Sequence, residues 1–156
     1  MDFKRGFTFI ELAVSLALIS ILLSVCIPIF KDYNRLKQST LLDMSSIELL
    51  SDLRLCQETA KYEGDTCNIF FNSTERSYYI YIRRDTRDDH VVKRKNLPQG
   101  IRVDNTRSTY TKSMLSFDRA GKPLPNPCTI IITNNLGQYK SITITVATDY
   151  ISIKDD

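Results

Sequence analysis

The sequence predicts an α+β protein: a long N-terminal helix followed by a head of short antiparallel strands. Three observations predict it. Between Phe7 and Phe30 the only charged residue is Glu11. From Lys31 to Glu63 no Pro or Gly interrupts the chain, and apolar residues recur at helical spacing. Beyond Gly64 the pattern changes to short β-rich runs without crossover helices, which indicates antiparallel sheets.

At 156 residues the chain has room for one domain plus an appendage. Hydrophobic residues make up 42% and charged residues 25%, so enough apolar surface exists for a packed core. The single His excludes two-His zinc sites and HExxH helices, and no Gly-rich phosphate loop or nucleophile elbow is present. No catalytic residue, metal site or cofactor is therefore expected, and an enzyme is not the expected class. The net charge of +3 permits a polyanion partner without arguing for one.

Residues 1–6, MDFKRG, form a short polar leader with Lys4 and Arg5 beside Gly6. Residues 7–30 follow as a transmembrane candidate. The 19 residues from Leu12 to Phe30 carry no charge, and about 20 apolar residues at 1.5 Å rise span a hydrocarbon core. A secretory signal peptide has a shorter apolar stretch and a small-x-small cleavage site. This stretch ends instead in Cys26-Ile27-Pro28-Ile29-Phe30. Basic residues before the span favour a cytoplasmic N-terminus and an external head.

Glu11 is the anomaly. A carboxylate at membrane depth costs several kcal/mol without a partner, so a functional role is the default reading. If the chain were cut after Gly6, the new amine of Phe7 would lie four residues before Glu11 and on the same helix face. An amine from a neighbouring subunit serves equally. Pro28 removes one backbone donor and its ring clashes with the Ser24 carbonyl, which marks a kink or a place where the helix can stretch.

Residues 31–63 continue as an amphipathic helix. Leu42, Leu49, Leu53, Cys56 and Ala60 follow 4/3 steps, Ser46 fills the missing rung, and Ile47 and Leu50 widen the stripe. Asp43, Glu48, Asp52, Arg54, Gln57, Glu58 and Lys61 lie between them. Gly64 is a C-cap candidate. One helix from about Phe7 to Tyr62 is expected, roughly 80 Å long at 1.5 Å per residue. Residues 64–156 form the head. Strands are expected at Cys67–Asn72, Ser77–Arg83, Val91–Val92, Ile101–Val103, Met114–Phe117, Cys128–Thr133, Tyr139–Thr148 and Tyr150–Ile153. Asn134-Asn-Leu-Gly137 is a hairpin turn candidate. Ile142, Ile144 and Val146 alternate with Ser141, Thr143 and Thr145, as in a sheet with one buried face.

The run KRG-FTFIELAVSLALISILLSVCIPIF resembles the N-terminus of type IV pilins and type II secretion pseudopilins. The resemblance implies cleavage by a prepilin peptidase between Gly6 and Phe7, N-methylation of Phe7, and assembly roles for Glu11 and Pro28. The segments LRLCQETAKYEGDTCNIFF, LPQGIRV, MLSFDRAGKP and CTIIITNNLGQYKSITITV are similar to the head of H-type minor pseudopilins (GspH/FimT-like), implying a pilin-like head of two β-sheets backed by the long helix. It further implies a structural subunit of a type II secretion pseudopilus or type IV pilus. Such a subunit sits single-pass in the bacterial cytoplasmic membrane with its head outside. Its partners are membrane lipid before assembly, the prepilin peptidase and other pilin or pseudopilin subunits. The alternative is a DNA-binding minor pilin for DNA uptake in natural transformation.

Two clusters remain. Cys56, Cys67 and Cys128 belong to the head, which an oxidising compartment would allow to form one disulfide, either Cys67–Cys128 or Cys56–Cys67 among the choices; all three also suit burial as small hydrophobes. Arg83, Arg84, Arg87, Lys93, Arg94 and Lys95, with Tyr79 and Tyr81 nearby, suit a phosphate backbone. The favoured reading of this stretch is an exposed strand pair and loop balanced by Asp85, Asp88 and Asp89. His90 reads as a surface residue.

Overall fold

The computed structural model describes residues 8–82, 90–110, 113–145 and 151–155, with backbone only at 25–31 and 155. The chain divides into two compact units, Met1–Lys37 and Gln38–Asp156. Helix α1 spans Phe9–Glu63. Among the described residues nine strands follow: β1 (Cys67–Asn72), β2 (Ser77–Ile82), β3 (His90–Asn96), β4 (Ile101–Val103), β5 (Met114–Phe117), β6 (Pro123–Leu124), β7 (Cys128–Asn134), β8 (Tyr139–Ile144) and β9 (Ile151–Asp155).

The strands form two sheets, in the orders β3-β2-β1-β5-β6 and β4-β7-β8-β9. Every pairing is antiparallel. Among the described residues no helix lies between one strand and the next, as antiparallel pairing allows. The fold is α+β, as expected. One core joins α1 to both sheets: Leu49, Leu53, Cys56 and Ala60 from the helix meet Ile69, Phe71, Ile80 and Phe117 from one sheet and Ile130, Ile142 and Ile144 from the other. A smaller cluster joins Leu42 to Ile101 and Ile132.

Local signals explain most boundaries. α1 stops at Glu63 because Gly64 takes φ +64°, the left-handed cap that costs a Gly no Cβ clash. The β7–β8 hairpin closes at Asn134 and Gly137, whose N–H donates to the Asn134 carbonyl at 3.2 Å while Gly137 holds φ +80°. Asn134 Oδ1 accepts from the N–H groups of Leu136 and Gln138, both at 3.0 Å, so its side chain shapes the turn. In β8, Ile142 and Ile144 are buried and Ser141 and Thr143 are partly exposed, the expected alternation. Val146 lies outside the described residues.

Several elements differ from expectation. Ile47 does not widen the core stripe, for its side chain is 62% exposed. Asp52 and Gln57, placed by pattern on the polar face, are buried. Gln57 Nε2 donates to the Gly121 carbonyl at 2.8 Å, so burial leaves its amide partnered. Strand β3 runs well past Val91–Val92 to Asn96. Its Lys93, Arg94 and Lys95 have low strand propensity, and pairing with β2 overrides it. The two-residue β6 is too short to leave a periodic signal.

Candidate assembly interface

In the N-terminal unit, apolar side chains are exposed around the whole helix: Phe9, Ile10, Leu12, Val14, Leu16, Leu18, Ile19, Ile21, Leu22 and Leu23. A helix that is apolar on all sides requires a cover of lipid or protein. Covering these ten side chains is worth on the order of 10 kcal/mol or more, at about 1.5–3 kcal/mol for each full burial. Polar groups within the stretch are already satisfied. Ser15 and Ser20 donate to the carbonyls of Glu11 and Leu16 at 2.7 and 2.8 Å, and Ser24 donates to that of Ile21 at 2.7 Å. Among the described residues no helix is long and apolar enough to cross a membrane. Described side chains in the apolar run stop at Ser24, whereas the sequence continues uncharged to Phe30.

Glu11 has a local role that its charge alone does not reveal. Thr8 precedes the first helical residue, and its Oγ1 accepts from the Glu11 N–H at 3.3 Å. Glu11 Oε2 in return accepts from the Thr8 N–H at 2.9 Å, and from the Thr8 hydroxyl at 2.9 Å. This is a reciprocal capping box, and the sequence shows it as Thr8-x-x-Glu11. The carboxylate therefore starts α1 while remaining exposed to any neighbour. Gly6 and Phe7 lie outside the described residues. At Pro28 only the helical backbone is described.

Within the head unit, α1 carries a second apolar stripe opposite its buried one. Met44, Ile47, Leu55 and Tyr62 are exposed, Tyr62 at 89%. Their spacings of 3, 8 and 7 place them within one helical face. That spacing was present in the sequence, but the stronger core stripe obscured it.

Of the basic cluster, the described residues Lys93, Arg94 and Lys95 are each paired with a carboxylate. Lys93 Nζ sits 2.6 Å from Asp52, Arg94 is 3.2 Å from Glu75, and Lys95 is 2.5 Å from Glu48. Two of these acids belong to α1, so β3 is fastened to the helix by charge. The expected counterions, Asp85, Asp88 and Asp89, lie outside the described residues, as do Arg83, Arg84 and Arg87. Arg107 is likewise engaged, 2.7 Å from Asp104 and over the Tyr139 ring at 4.9 Å. Beside Arg107, the Asp104 carboxyl is held below its ordinary range. His90 is an exposed strand residue, as expected.

All three head cysteines are buried, as small hydrophobes would be. Cys56 and Cys67 bring their Sγ atoms within 3.0 Å. Cys128 lies on the other sheet, its thiol pushed up to about 11 by burial. Among the described residues no group of three or more His, Cys, Asp or Glu could hold a metal ion.

The N-terminal unit thus carries a helix with an uncovered apolar coat, begun by the Thr8–Glu11 capping box, and the head unit carries two antiparallel sheets. Residues 1–27 match the family described as the prokaryotic N-terminal methylation motif. Among solved structures, the minor pseudopilin EpsH of the Vibrio cholerae type 2 secretion system matches at 13% identity and a TM-score of 0.60, covering 73% of this chain and 96% of that one. The type IV minor pilin FimU of Pseudomonas aeruginosa matches at 14% identity and a TM-score of 0.62, covering 75% and 90%. The fold is therefore that of minor pseudopilins and minor pilins, with the long helix and two antiparallel sheets expected. No curated protein sequence matches the chain.

Proposed function

We propose that the protein is a minor pseudopilin or minor pilin, a structural rather than catalytic subunit. Prepilin peptidase cuts between Gly6 and Phe7, and Phe7 is then methylated. The apolar helix waits in the cytoplasmic membrane with the head outside, then leaves lipid for the matching helices of other subunits. Pro28 lets the helix adjust during that transfer. The carrying observation is the uncovered apolar surface from Phe9 to Leu23, which requires an occupant on every side. Met44, Ile47, Leu55 and Tyr62 offer neighbouring subunits a further contact on the head. A DNA-binding role is less supported, because Lys93 holds the buried Asp52 carboxylate, which a phosphate would leave unpaired, although the more exposed pairs of Arg94 and Lys95 would cost little to break.

Glu11 has two duties in this reading: capping its own helix and receiving the cationic amine of Phe7, its own or a neighbour's. Glu11→Gln separates them, because Gln also serves in a capping box but carries no charge. The variant should be cleaved, reach the membrane and fold its head, yet enter filaments poorly. Thr8→Ala, which weakens the cap and keeps the charge, should assemble better than Glu11→Gln. Wild-type incorporation of Glu11→Gln, or an N-terminus by mass spectrometry other than methylated Phe7, would refute the corresponding part of the proposal.

A further inference from the structure

Cys56 lies in the last turns of α1, and Cys67 opens β1, eleven positions later. Between them the chain turns at Gly64 with φ +64°, where no other atom approaches within 4 Å of an added Cβ. That turn folds the two thiols against each other, with 3.0 Å between the Sγ atoms and no exposed surface on either residue. Their neighbours are the apolar core. Cys128 shares the core but belongs to β7, in the other sheet, so the helix–strand junction joins the first two alone.

We infer that Cys56 and Cys67 form a disulfide that staples the end of α1 to β1. The inference rests on the proposed external location of the head, where disulfides persist. The chemistry is dithiol–disulfide exchange with a protein disulfide oxidant. One cysteine thiolate attacks the oxidant's disulfide and expels one of its thiolates; the other cysteine then attacks the first cysteine's sulfur in the mixed disulfide and expels the oxidant's second thiolate. Both thiol protons are released, one Sγ–Sγ bond forms, and two electrons reduce the oxidant to its dithiol. Closure belongs to folding. In the finished core, burial pushes the Cys56 thiol up and keeps it protonated and out of reach, whereas the thiolate is the attacking form.

The function of the staple follows from its position. It joins the helix that bears assembly contacts to the central region of the head sheet. Closing a loop of this length lowers the unfolding equilibrium constant about a hundredfold. Force or motion reaching the helix end then passes into β1 through a covalent bond as well as through packing.

The test uses the full chain from membranes, with thiols trapped by alkylation in acid-quenched cells. Trypsin cuts after Arg54, Lys61 and Arg76, so a non-reduced digest should contain the 55–61 peptide bonded to the 62–76 peptide. Reduction should separate them. The Cys128→Ser variant should retain the linked peptide. Alkylated Cys56 and Cys67 on separate peptides, or either one joined to Cys128, overturns the pairing when the head is digested by protease added to spheroplasts. A head protected from that protease overturns the external location instead. In that case refolding the reduced chain with oxidised glutathione judges the pairing alone: selective appearance of the linked peptide supports it, and its absence overturns it.

Discussion

Replacing Asp52 with Ala should destabilise the head by about 1–4 kcal/mol, and the magnitude follows from its two partners. The Tyr78 hydroxyl donates to Asp52 Oδ2 at 2.7 Å, and Tyr78 is 1% exposed. Without Asp52 that hydroxyl is buried with no acceptor, a cost of about 1–3 kcal/mol. Lys93 Nζ stands 2.6 Å from Oδ1, but its side chain is 36% exposed, so water can replace the lost carboxylate. That part is worth about 1 kcal/mol or less. Tyr78→Phe should cost less than Asp52→Ala, because the carboxylate keeps Lys93 and no hydroxyl is orphaned. Combining the two changes should be less than additive by about 1–2 kcal/mol, as expected for groups in direct contact. Urea unfolding of the full chain in detergent, followed by tyrosine fluorescence, measures all three. Full additivity, or an Asp52→Ala variant within about 0.5 kcal/mol of wild type, would show that the contact contributes nothing and refute the reasoning.

Two further outcomes are expected. Burial raises the Tyr110 hydroxyl to about 12, while its ring stacks on Phe71 with centroids 5.0 Å apart. The folded state therefore holds the proton longer than the unfolded chain, so this contribution is complete below pH 10 and is lost as pH rises toward 12. Tyr110→Phe should flatten the alkaline arm of stability against pH; an unchanged slope there counts against it. Gly121→Ala should cost about 1–2 kcal/mol in urea unfolding, because Gly121 holds φ +76° and a Cβ would press on Lys61 Cε and stand 3.1 Å from Gln57 Cγ. The lysine end can swing away, leaving backbone strain as the larger part; Gly121→Asn, which tolerates this region better, should cost less.

By itself the sequence determined what local chemistry can determine. An uncharged run reads as an apolar helix because a missing charge needs no partner to be visible. Leu42, Leu49, Leu53, Cys56 and Ala60 read as one buried face because helical spacing alone aligns them, and Gly64 and Gly137 mark turns because few other residues tolerate their backbone angles. The Thr8-x-x-Glu11 cap was equally local and was masked by the stronger question of the glutamate's charge. Tertiary structure decided everything that depends on which distant groups meet. Asp52 looked like a surface acid until β2 and β3 brought Tyr78 and Lys93 to it, and Lys95 looked open to a polyanion until it met Glu48. Ile47 looked like core until both sheets settled on the opposite face of the helix. Cys56 had several equivalent choices of mate until the turn at Gly64 set Cys67 against it, since spacing along a chain constrains proximity only after the backbone has fixed its direction.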